Sequence, residues 1–144
     1  MKFDNSVWIN QPVEKVFDFV TDFNNNTLWQ TDILLMEMTS AGHFGHGSTY
    51  RCVNRFMGKR IETEGLVTAY EPDRRCCIRI TSGPVTGTSS LDFEAMNGGT
   101  RFTTSGELSL TYFRFAGVLV NRKIKQQLQN DMNKLKDVLE NGAG

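Results

Sequence analysis

The chain has 144 residues, 39% hydrophobic and 22% charged, which fits one folded domain over residues 1–144 and excludes a disordered or repeat-built chain. Its 16 Lys and Arg balance its 16 Asp and Glu, so no nucleic-acid partner is expected, because such a partner calls for a basic stripe. Lys2, Asp4 and Asn10 interrupt the opening residues, no window reaches the ~18 apolar residues of a membrane span, and Cys52, Cys76 and Cys77 form neither a disulfide framework nor a metal motif; the expectation is a cytoplasmic chain without leader or integral membrane segment.

Residues 2–9 read as a strand, with Phe3, Val7, Trp8 and Ile9 as β-tolerant positions. Pro12 suits the first position of a helix, with Gln11 and Glu14 at capping-box spacing. Val13, Val16, Phe17 and Val20 then recur at helical spacing. Asp22 is placed to cap a second short helix that runs from Asn24 to Trp29. This helix pair carries no basic side and is a packing element, not a DNA reader.

Strands follow over residues 31–40, 48–57, 60–70, 74–82, 86–95 and 100–111, separated by turn-forming runs. Those runs are Gly42 to Gly47, Met57-Gly58-Lys59, Glu71-Pro72-Asp73, Gly83-Pro84 and Asn97-Gly98-Gly99. The last stretch, about 113–141, is one long helix. Val120, Ile124, Leu128, Met132, Leu135 and Leu139 line one face, and Lys123, Lys125, Gln126, Gln129, Asn133 and Lys136 the other.

The order is therefore β-α-α-β-β-β-β-β-β-α, an α+β chain. Six hairpin-joined strands form an antiparallel meander, which twists and curls. One long amphipathic helix is the only cover for its apolar face. A curled seven-stranded sheet around one helix is hard to fill with side chains, so an internal cavity is expected.

The residues that carry a family resemblance run from Val7 through Asn10-Gln11-Pro12-Val13 to Asp22. Trp29, Gly47-Ser48-Thr49-Tyr50, Val67-Thr68-Ala69-Tyr70-Glu71-Pro72, Gly98-Gly99-Thr100-Arg101 and Leu135-Lys136 continue it. In their order and spacing the chain resembles the START-related, polyketide cyclase/dehydrase-like and birch-pollen-allergen-like superfamily. The resemblance covers essentially the whole chain and implies the helix-grip fold. It also implies a lipid, polyketide or aromatic ligand as a class, and names no chemistry, because the matching residues are caps, turns and core.

Strand alternation gives an inward set: Tyr50, Cys52, Asn54, Cys76, Ile78, Ile80, Leu91, Phe93, Phe102 and Thr104. Trp29 and Phe23 are expected to close one end, and Phe113, Phe115 and Leu119 to form a lid where the helix begins. These are the candidate ligand contacts. His43 and His46 lack a third metal ligand in their loop, so the expectation is a solvent-facing turn and no metal or cofactor. Glu62, Glu64, Arg79 and Asp92 fall on the outward alternation. Tyr112 to Phe115 is an apolar patch suited to a membrane surface or a second copy, which keeps a homodimer among the expectations. Three functions stay open: a carrier or sensor of a hydrophobic molecule, a metal-free cyclase, dehydratase or related lyase, and a protein-interaction module. The second needs an ionisable side chain facing the cavity.

Overall fold

A computed structural model describes residues 1–110 and 117–142. The elements are β1 (Lys2–Ile9), α1 (Val13–Thr21), a 3-10 turn (Phe23–Asn25), α2 (Asn26–Trp29), β2 (Ile33–Met38), β3 (Thr49–Phe56), β4 (Lys59–Glu71), β5 (Arg75–Ser82), β6 (Val85–Met96), β7 (Gly99–Leu110) and α3 (Gly117–Asn141). The expected order is the observed one. Residues 113 to 116 of the expected last helix lie outside the described residues.

All seven strands form one antiparallel sheet in the order β1-β7-β6-β5-β4-β3-β2. Strands β2 to β7 are the meander, and β1 adds to its far side through Lys2↔Glu107 to Ile9↔Thr100. The helical crossover from β1 to β2 thus leads from one edge of the sheet to the other. Register shifts between Glu64 and Gly65 and between Val67 and Ala69 interrupt the β4–β5 ladder; such bulges bend strands and steepen their twist. The result is the helix-grip fold, with α3 lying against β1 and α2.

Two-residue hairpins of type I′ need positive φ at both central positions, and the chain supplies them at Met57-Gly58 (φ 51 and 79) and Asn97-Gly98 (φ 53 and 80). Helix α1 starts one residue later than the sequence suggests. Pro12 is its extended N-cap residue (φ −63, ψ 151), without a side-chain cap. The Gln11–Glu14 capping box does not form, because Gln11 Nε2 donates instead to the Leu139 carbonyl of α3 at 2.8 Å. Asp22 does cap, accepting from the Asn24 amide at 3.0 Å.

The same junction anchors the end of α3. Lys136 Nζ donates to the Trp8 carbonyl and to Glu140 Oε2, both at 2.7 Å, and Glu140 Oε2 accepts from the Asn10 amide at 2.8 Å. Beneath this clip Ile9, Val16, Phe17, Val20, Trp29, Phe93, Phe102, Met132, Leu135 and Leu139 form one packed cluster. Ile9, Phe102 and Leu135 are fully buried, so this end of the grip is filled.

Candidate functional site

The other end is hollow. Along β3, β4 and β5 alternate residues face the helix, and many of them are small. Tyr50, Cys52 and Asn54 come from β3, Ile61 and Thr63 from β4, and Cys76, Ile78 and Ile80 from β5. Ser89 and Leu91 of β6, Thr104 of β7 and Ile124, Leu128 and Met132 of α3 complete the wall. They enclose a cavity of about 310 Å³, in the size range of small-molecule sites.

Of the residues that the sequence turned inward, Trp29, Tyr50, Cys52, Asn54, Cys76, Ile78, Ile80, Leu91 and Thr104 border the cavity. Phe93 and Phe102 share their face but do not border it, because they fall at the filled end. Phe93 meets the ring of Phe17 edge-on at 5.0 Å and that of Phe102 at 5.0 Å, and Phe102 stands 6.3 Å from Trp29. Leu119 does not border the cavity either; it is 61% exposed on the first turn of α3, beside the exposed Val118. Phe113 and Phe115, the rest of the expected lid, lie outside the described residues.

Aromatic side chains close the cavity near α1. Phe23 packs edge-on against Phe44 at 4.7 Å and Tyr50 at 5.2 Å, and Phe44 reaches Tyr70 at 5.6 Å. Phe44 escaped the sequence reading because it sits in a glycine-rich turn, where alternation gives no inward or outward sense. The turn itself leaves His43 and His46 exposed. Among the described residues no three His, Cys, Asp or Glu side chains group as metal ligands. Across the β3–β4 ladder Tyr50 pairs with Gly65, and any Cβ at Gly65 would overlap the Tyr50 ring. Gly65 is what lets this ring lie flat on the sheet.

Burial sets the chemistry of the wall. It raises the Tyr50 phenol well above the usual tyrosine range. It pushes the thiols of Cys52 to about 11 and of Cys76 to about 12, so both stay protonated at neutral pH and are poor nucleophiles.

Among the described residues one buried residue of the wall carries a carboxyl. Asp131 of α3 is 7% exposed and borders the cavity together with Gln127, Asn26, Trp29, Gln30 and Asp32. Its Oδ1 accepts from Gln127 Nε2 at 2.9 Å, from the Thr31 amide at 3.3 Å and from Thr31 Oγ1 at 3.4 Å. Desolvation outweighs these hydrogen bonds and raises the carboxyl to about 6, with the charge of Asp32 adding to the rise. Sequence reasoning missed Asp131, although the helical wheel holds the signal. At 100° per residue it stands about 20° from Ile124, inside the apolar stripe.

The outer face of the sheet is ionic, as the alternation implies. Arg51 bridges Glu62 at 2.5 Å and Glu37 at 3.1 Å, Arg75 pairs with Asp92 at 2.6 Å, and Glu64 and Arg79 are exposed. These exposed pairs contribute little to stability.

The family model described as polyketide cyclase/dehydrase and lipid transport matches residues 1–140. Among solved structures, the protein TTHA0849 from Thermus thermophilus superposes with a TM-score of 0.81 at 16% identity, over 96% of this chain and 97% of that one. Ara h 8.0201 gives 0.71 at 16% identity over 96% and 97%. The Aha1 dimer from Colwellia psychrerythraea, a solution structure, gives 0.68 at 20% identity over 100% and 99%. At these identities the likeness is one of fold. Among curated proteins none matches the chain.

Proposed function

The chain belongs to the polyketide cyclase/dehydrase and lipid transport family, and from that premise we propose that it binds a small hydrophobic molecule in its internal cavity as a carrier or sensor. The observation that carries this reading is the void of about 310 Å³ beneath β3 to β5, bordered mainly by apolar side chains. An empty apolar space of this size costs stability, because its lining lacks contact partners. A guest of lipid, polyketide or aromatic character supplies those contacts. A cytoplasmic location of the chain belongs to this proposal. Among the described residues no helix is long and apolar enough to cross a membrane. A homodimer is compatible with the fold, since the Aha1 structure of similar architecture is a dimer.

The test is heat unfolding with a panel of fatty alcohols, sterols and polycyclic aromatics at saturating concentration. At least one class should raise Tm in a saturable way. Ser89→Leu, which puts a larger side chain on the cavity wall, should abolish that rise. A panel that never moves Tm sinks the reading.

A second reading, a metal-free cyclase or dehydratase, has one observation in its favour. Asp131 supplies the ionisable group such an enzyme needs, raised by burial to about 6, where a carboxyl can both take and return a proton near neutral pH. An interaction module draws no such support, because a solid core would be its natural companion.

A further inference from the structure

The polar end of the cavity is more specific than its apolar wall. Asp131, Asn26, Trp29 and Gln30 border the cavity at this end. Trp29 Nε1, Asn26 Oδ1 and Gln30 Oε1 are buried with no hydrogen-bond partner. Trp29 and Asn26 are only 4% and 5% exposed. Orphaned polar atoms buried this deeply are costly, and a bound molecule or water that supplies partners removes the cost. Asp131 points the same way. The hydrogen bonds it accepts all fall on Oδ1, and Oδ2 receives none among the described residues.

The charges are one-sided. Asp131 and Asp32 border the cavity, and no Lys, Arg or His does so among the described residues. The other titratable groups on the wall are Tyr50, Cys52 and Cys76 on the sheet side, and burial keeps all three neutral at physiological pH. A permanently anionic head placed here would meet two carboxyls and no compensating cation.

We propose that this end is a head-group site: Asp131 Oδ2, with the orphaned acceptors Asn26 Oδ1 and Gln30 Oε1, seats the hydrogen-bond-donating head of an amphiphile, an ammonium or a hydroxyl, and excludes a permanent anion; the Trp29 indole N–H, itself a donor, is served only by the oxygen of the hydroxyl head. The assignment rests on the cavity-binding reading and sharpens it, by naming the head as well as the body of the guest. The apolar tail lies along Ile78, Ile80 and Leu128, and the head stays at the α2–α3 junction.

The experiment uses three eight-carbon probes whose own charge is constant between pH 5 and pH 8: octylamine, n-octanol and octanesulfonate. Calorimetry on the full chain should show the amine and the alcohol binding about tenfold or more tightly than the sulfonate at pH 8. Acidification to pH 5 should weaken the amine and strengthen the sulfonate, as Asp131 takes up its proton. Asp131→Asn should flatten that pH dependence for both charged probes. The variant also separates Asp131 from the general gain of positive charge by the protein on acidification. Equal affinities for all three heads at pH 8, or a pH dependence that survives Asp131→Asn, overturns the head-group site and leaves cavity binding standing. If none of the probes binds and the wider panel also fails, cavity binding falls and the head-group site falls with it.

Discussion

The two ends of the grip are built from the same alternation and come out differently. At the end that joins β1, α1 and the last turns of α3, the inward residues are Ile9, Phe17, Phe93, Phe102, Leu135 and Leu139, and they close on one another. At the end beneath β3 to β5 the inward positions include Cys52, Asn54, Thr63, Cys76 and, on β6, Ser89, and a cavity remains. One helix covers both. The difference teaches that side-chain volume along the strands, more than the curvature of the sheet, decides where this fold is hollow. The filled end is closed by rings packed on one another, and the cavity lies where small side chains stand on the strands.

The sharpest way to break this comparison is to empty each end in turn. Phe102→Ala removes a fully buried ring and should cost about 3–5 kcal/mol by denaturant titration. Ile80→Ala, beside a void already present, should cost less than about half of that. Equal losses would show that the hollow end is as tightly packed in solution as the filled one. Gly65→Ala forces the Tyr50 ring off the sheet and should cost about 1–3 kcal/mol, while shrinking the cavity and weakening any guest that raises Tm. A variant as stable as the parent would mean that Tyr50 does not lie over Gly65.

The smallest expected effect is at Asp131. Its folded carboxyl holds a proton up to about 6, against an ordinary value of 3.8. The folded state is therefore favoured below the ordinary value, loses that advantage as pH rises toward 6, and levels off above it. Asp131→Asn should be more stable than the parent by about 1–2 kcal/mol at pH 8, with the gain shrinking toward pH 4. The measurement is paired denaturant curves across that range. A constant difference would place the carboxyl in open solvent.

Much of the fold was legible because its signals are periodic. Tyr50, Cys52 and Asn54 alternate with Arg51, Val53 and Arg55, and Asn97-Gly98 supplies a hairpin that few other pairs can make. Four-residue steps from Ile124 to Met132 place the helix stripe. The site was legible only in part, because alternation says which face a residue takes, not whether a neighbour fills the space in front of it. Phe93 and Phe102 were thus grouped with Cys76 and Ile78, though Phe17 and Trp29 occupy the space before them. Asp131 was hidden for a different reason. An acidic residue on an amphipathic helix is read as solvated, and only the partners on Thr31 and Gln127 make its burial tolerable.

The pairing of β1 with β7 has a consequence for how the molecule is made. The hairpins over residues 49–96 join neighbours in the chain and close early, at small loop entropy. The partners of β1 are about a hundred residues away, and α3 leaves the ribosome after every strand of the sheet. During synthesis the half-formed trough therefore stands unroofed until that rod docks.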